Sequence, residues 1–162
     1  MKHIFEIWTD GSCKGNGQEN ATGGYAFLIH YNAHEIARGS KMVKNTTNNR
    51  MEMTAILEAM REAENFIFNN LLPNDEISVT VYTDSAYCQN CYTQKWYKNW
   101  QLNNWVNSKK QPVKNKDLWQ ELINYFELPQ FHLAKVKGHA DNEYNNIVDA
   151  MAQLAADGGE QI

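Results

Sequence analysis

Two stretches of this sequence run into the same dipeptide. Ile4-Phe5-Glu6-Ile7-Trp8-Thr9 leads to Asp10, and Ile77-Ser78-Val79-Thr80-Val81-Tyr82-Thr83 leads to Asp84. Both runs are rich in β-branched and aromatic residues, the types that fit a pleated, largely buried surface, so each predicts a core strand. A sheet made of such strands needs cover on its faces, from helices or from a second sheet. In both cases a carboxylate then stands where the strand is expected to stop, and a charge at that place calls for an explanation.

Strands are expected over residues 3–9, 24–31, 35–43, 77–83 and 131–136. The links between the first three are short, polar or glycine-containing, which suits a meander. Helices are expected over 50–69, 85–93, 95–103, 116–126 and 142–156. The first of these is the clearest, because Met53, Ile56, Leu57, Met60, Glu64 and Ile67 follow helical spacing behind Asn49 as N-cap. Asp141 is expected to cap the last helix and Gly158 to stop it. Strands first, then strands alternating with helices, predict an α/β fold with a mixed sheet.

At 162 residues, 43% of them hydrophobic, the chain suffices for one domain spanning 1–162 with a sizeable core. No run of about 18 apolar residues and no leader-like segment is present, which predicts a cytoplasmic protein with no membrane partner. Three cysteines argue against a disulfide framework. Cys88 and Cys91 form a CxxC, but on a helix residues i and i+3 are plain neighbours, and a zinc site would want two more ligands. The net charge of −4 excludes a uniformly basic surface, yet Lys95, Lys98, Lys109, Lys110, Lys114 and Lys116 lie in a segment without any acid.

Each acid has an ordinary explanation when taken alone. Asp10 in "TDGS" suits a turn, Asp84 in "TDSA" suits a helix cap, and Glu52 stands three residues after Asn49 at capping-box spacing. Asp149 lies mid-helix, where aspartate has poor propensity, and would otherwise sit on a solvated face. Together they read differently, because strand ends, a first helical turn and a last helix converge in one cleft of an α/β sheet. Carboxylates about 4 Å apart repel by about 4 kcal/mol per pair at an effective dielectric of 20, so such a cluster demands a cation. Oxygen-only ligands suit Mg²⁺ or Mn²⁺ rather than zinc, and an acidic pocket tolerates a phosphodiester only when metal inverts its sign.

The blocks "IWTDGSCKGN", "NTTNNRMEM", "VYTDSAY", "PVKNKDLWQEL" and "KVKGHADNEYNNIVDAMA", in this order, resemble bacterial ribonuclease H of type 1 over nearly the whole chain. The resemblance implies a five-stranded mixed sheet, its first three strands antiparallel, flanked by helices. It also implies endonucleolytic cleavage of the RNA strand of an RNA–DNA hybrid, with two Mg²⁺ ions, replaceable by Mn²⁺, leaving 5′-phosphate and 3′-hydroxyl ends. Carried over position by position, the metal ligands would be Asp10, Glu52, Asp84 and Asp149. His139 matches the family's loop histidine for proton handling or product release, a task that suits an imidazole.

For substrate, the resemblance implies 2′-hydroxyl contacts from Glu52 and the backbone of Gly11, Ser12 and Cys13, the contact that separates RNA from DNA. Asn16, Asn48 and Asn49 match minor-groove positions, and Thr47 and Asn115 match a DNA-phosphate pocket. The lysine segment matches a basic protrusion whose aromatic positions are Trp96, Trp100 and Trp105, with Tyr87 and Trp96 packing on sugars. Trp96 and Trp100 at i, i+4 also suit a core, and the two roles are compatible.

Two departures stand out. Gln101-Leu102-Asn103-Asn104 occupies the place of a common Lys/Arg run, which predicts weaker hybrid binding with a shallower salt dependence, and Ala86 replaces a commonly polar residue. Competing readings are a resolvase or transposase relative, which would want further domains, and an aspartyl phosphatase, which would want an acid where Ser12 stands. A non-catalytic hybrid-binding module is the remaining alternative, and a monomer is expected for this chain.

Overall fold

A computed structural model describes residues 2–136 and 142–158. The strands are β1 (Lys2–Lys14), β2 (Thr22–Tyr31), β3 (His34–Lys44), β4 (Glu76–Thr83) and β5 (Phe131–Lys135). The helices are α1 (Asn48–Asn70), α2 (Ala86–Gln94), α3 (Trp96–Leu102), α4 (Lys116–Phe126) and α5 (Glu143–Ala156). The sheet order is β3-β2-β1-β4-β5. β1 pairs antiparallel with β2, β2 antiparallel with β3, and β4 lies parallel to both β1 and β5. The expected α/β arrangement, a five-stranded mixed sheet with its first three strands antiparallel, is therefore the observed one.

The two faces of the sheet are covered by different means. Phe5, Ile7, Phe27, Ile29, Val79, Val81, Phe131 and Leu133 pack with Met53, Ile56, Leu57 and Met60 of α1 and with Trp119, Leu122 and Phe126 of α4. Side chains of this size stabilise the fold by about 1.5–3 kcal/mol each when fully buried, so this face holds most of the core. The other face carries Trp8, Ala26 and Leu28 under Val148 and Ala152 of α5. Small residues let this second helix lie close: a Cβ added at Gly24 would fall 2.3 Å from the Ala152 carbonyl oxygen.

Three boundaries differ from expectation, each for a local reason. β1 does not stop at Thr9, because β2 continues to pair with it through Asp10↔Ala26 and Gly11↔Tyr25 as far as Lys14↔Thr22. The Asp-Gly turn signal is thus overridden by a cross-strand ladder. α1 is capped by Thr47, whose Oγ1 accepts from the Arg50 N–H at 3.2 Å, and Asn49 lies inside the helix. α5 is capped by Asn142, whose Oδ1 accepts from the Asn145 N–H at 2.9 Å, whereas Asp141 lies outside the described residues. Lys95 and Asn115 adopt left-handed backbone conformations, at φ 54° and 62°, where the chain enters α3 and α4.

Candidate active site

Asp10 lies within β1, only 4% exposed, and its Oδ1 accepts from the N–H of Gly11 at 2.9 Å. The same N–H donates to Glu52 Oε1 at 2.5 Å. Glycine is required there by packing, since a Cβ on Gly11 would meet the Glu52 nitrogen at 2.5 Å and the Met51 carbonyl carbon at 2.6 Å. β1 and the start of α1 are in contact at this point, which is why Glu52 reaches Asp10. With Thr47 capping α1, the Asn49/Glu52 capping box is not formed, and Glu52 turns inward at 8% exposure.

Asp84 follows the last residue of β4. It does not cap α2: Ser85 does, accepting from the Cys88 N–H at 3.1 Å. Asp84 is exposed and is joined to the buried pair, one oxygen each from Asp10, Glu52 and Asp84 lying within 4.8 Å of one another. Asp149, exposed on α5, lines the same pocket and accepts from Gln153 Nε2 at 3.1 Å on both oxygens. Four acids far apart in the chain thus border one opening.

The electrostatics follow from this crowding. Burial first, and the neighbouring Asp84 charge with it, push the Asp10 carboxyl up to about 8. Burial, then Asp10, then Asp84 hold Glu52 well above the ordinary glutamate range. Two carboxyls that resist ionising side by side require either a shared proton or a cation. Three oxygen donors this close fit a hard divalent ion such as Mg²⁺ or Mn²⁺.

The pocket encloses about 560 Å³. Besides the acids it is lined by Gly11, Ser12 and Cys13 of β1, Asn48 and Asn49 of α1, and Ser85, Ala86 and Tyr87 leading into α2. Asn16 is tied to it, its Oδ1 accepting from the Asn48 N–H at 2.9 Å. Thr47 lies next to Asn48 as the helix cap. Asn115 is linked through Nδ2, which donates to the Tyr87 hydroxyl at 3.1 Å, as Trp119 Nε1 does at 3.2 Å.

From Tyr87 a train of rings leads outward, with centroids 6.2 Å apart from Tyr87 to Trp96, 6.2 Å from Trp96 to Trp100 and 5.9 Å from Trp100 to Trp105. All three tryptophans are half-buried and pack against the main core, so the core and surface roles do coexist. The six lysines around them are exposed. Lys98 pairs with Glu127 at 2.5 Å, and Lys116 sits 5.9 Å from the Trp105 ring centre. Cys88 and Cys91 are fully buried, and burial pushes both thiols up, Cys91 to about 12, so the CxxC is core packing.

His139 lies outside the described residues. Two residues that sequence reasoning passed over belong to this neighbourhood. Arg50 pairs with Asp117 at 3.0 and 2.7 Å and donates to Asn115 Oδ1 at 3.3 Å. Thr83 touches Glu52, and its signal was in plain sight as the residue preceding Asp84.

The RNase H family profile matches residues 2–157. Ribonuclease H of Clostridium botulinum is 43% identical over 157 residues, covering 97% of each chain. Among solved structures, LC9-RNase H1, described as a type 1 RNase H with the type 2 active-site motif, is 28% identical with a TM-score of 0.73 over 99% of this chain and 75% of its own. LC11-RNase H1 in complex with RNA/DNA hybrid superposes with a TM-score of 0.67 at 21% identity, over 95% of this chain and 97% of its own, a likeness of fold.

Proposed function

Because the chain belongs to the RNase H family and is a nuclease of the hydrolase class, we propose that it cuts the RNA strand of RNA–DNA hybrids endonucleolytically, at the pocket bordered by Asp10, Glu52, Asp84 and Asp149. The supporting observation is the triad of Asp10, Glu52 and Asp84 oxygens within 4.8 Å, two of its members buried. These three residues and Asp149 would hold the metal. Two divalent ions, Mg²⁺ or Mn²⁺, would supply an activated water and offset charge on the leaving oxygen, giving 5′-phosphate and 3′-hydroxyl products.

The chain's own groups do the remaining work. The Gly11 N–H holds the oxygens of Asp10 and Glu52 toward each other across the pocket. The pocket-lining backbone of Gly11, Ser12 and Cys13, together with Glu52, would read the 2′-hydroxyl. Asn16, Asn48 and Asn49 would face the minor groove, and Thr47 and Asn115 a phosphate of the DNA strand. Tyr87, Trp96, Trp100 and Trp105 offer apolar faces to sugars, while the exposed lysines attract the backbone and release its counterions. His139 would exchange a proton near the scissile phosphate or assist product release.

No described helix is long and apolar enough to cross a membrane. We infer a cytoplasmic monomer in which residues 1–162 act as one domain. The test is incubation with labelled hybrid, duplex DNA and duplex RNA, with Mg²⁺ or with chelator. Cutting confined to the RNA of the hybrid and abolished by chelator is expected; cutting of duplex DNA, or cutting that survives chelation, overturns the reading.

A further inference from the structure

Asp10 and Asp84 are each preceded by a threonine, and the two threonines are used differently. Thr9, 1% exposed, donates its hydroxyl to the Tyr82 carbonyl at 3.2 Å and so ties β1 to β4. Thr83 is fully buried on the α1 side of the sheet, in step with Val79 and Val81. Its Oγ1 accepts from the Ser85 N–H at 3.1 Å, closing the turn that carries Asp84. With that lone pair engaged, the hydroxyl proton is free to donate to Glu52 Oε2, 3.5 Å away. Glu52 Oε1 already accepts from Gly11, so donors from β1 and β4 fix the plane of this carboxylate from both sides.

We propose that Thr83 is a positioning residue for divalent-metal binding, its one hydroxyl orienting Glu52 and fixing the turn that presents Asp84. The inference rests on the metal site put forward above. Groups that hydrogen-bond a ligand carboxylate orient it, and their loss typically costs about 10–100-fold in metal affinity. At 3.5 Å the bond is long, which places Thr83 at the low end.

The experiment is calorimetric titration of the full chain with Mn²⁺, alongside thermal melts. Thr83→Val keeps the shape and removes the hydroxyl; it is expected to weaken Mn²⁺ about tenfold. Thr83→Ser keeps the hydroxyl and loses a methyl; it is expected to melt lower yet bind Mn²⁺ within about twofold of the parent. Thr9→Val is expected to bind Mn²⁺ as the parent does. A role in packing alone predicts the opposite order for the two Thr83 variants. Parent-like Mn²⁺ binding by Thr83→Val overturns the proposal, and so does a tenfold loss in Thr83→Ser, which decides the matter even where the valine variant does not fold. Glu52→Gln separates the two readings. Mn²⁺ binding by the parent that Glu52→Gln abolishes, with Thr83→Val unaffected, removes the positioning role alone. Binding that Glu52→Gln leaves intact removes the metal site, and the role of Thr83 with it.

Discussion

The acidic pocket and the lysine-rich segment at 95–116 put charge to opposite uses. In the pocket, Asp10 and Glu52 are 4% and 8% exposed, press on a third carboxylate, and share the Gly11 N–H as donor. In the segment every lysine is exposed and the rigid parts are neutral, the rings of Trp96, Trp100 and Trp105 packed on the core. A charge with a buried neighbour at 4 Å interacts several times more strongly than one facing water, where the Debye length is about 8 Å at physiological salt. Single changes in the pocket should therefore be all-or-none, and single changes in the segment incremental.

Replacing Asp10 by Asn tests the strong side of this contrast. It should lower cleavage of hybrid by more than about 10³-fold, since charge stabilisation in a metal site is worth several kcal/mol, while hybrid binding in gel shift changes little. A variant that still cuts within tenfold of the parent would break the contrast outright. Next in size is Gly11→Ala, whose Cβ would overlap Glu52 and Met51 backbone atoms and separate β1 from α1. A loss of about 2–4 kcal/mol in denaturant unfolding is expected, with activity falling further than stability explains.

The pocket also has a stability signature without metal. Asp10 is raised in the folded state to about 8 from an unfolded value of 3.8, so between those pH values the folded chain holds more protons than the unfolded one. The contribution of Asp10 to stability in chelator should thus be fully present below pH 4 and be lost as pH rises toward 8. Asp10→Asn should flatten that decline and stabilise the chelated protein by about 1–3 kcal/mol at pH 8, a gap that closes near pH 4. Equal pH profiles for the two proteins would show that the acids are not crowded in solution.

The smallest effect is expected in the segment. Lys109→Ala with Lys110→Ala should weaken hybrid binding only a few-fold and reduce the slope of log K against log salt by about 1 for each phosphate no longer neutralised, with kcat at saturation unchanged. The native slope should already be shallower than in relatives with a basic run where Gln101-Leu102-Asn103-Asn104 stands. A slope equal to theirs would erase the compositional argument.

Much of the architecture could be read directly. The strands expected over 3–9 and 77–83, the helix bearing Met53, Ile56, Leu57 and Met60, and the alternation of later elements all appear, although β1 runs on to Lys14. The misreadings share a cause. Asp10-Gly11 carries a strong turn signal, yet β2 pairs across it, and Gly11 is needed for the near approach of α1 rather than for a bend. Asn49 and Glu52 have the spacing of a capping box, yet Thr47 supplies the cap and Glu52 is drawn toward the Gly11 N–H. Local rules named the residues correctly and assigned them local work, because the partners that redirected them lie far away in the chain.

By itself the sequence determined which segments are strands and which are helices, and it placed the same Thr-Asp dipeptide behind each of two strand-forming runs, since side-chain shape and spacing act over a few residues. Only the tertiary structure decided that Asp10 stays in its strand, that Glu52 is buried beside it with Asp84 within 4.8 Å, and that of two threonines in identical dipeptides Thr83 faces Glu52 while Thr9 faces a carbonyl. Those outcomes depend on how β1, β4 and α1 meet, and a hydroxyl or a carboxylate takes its role from the nearest donor or charge in space.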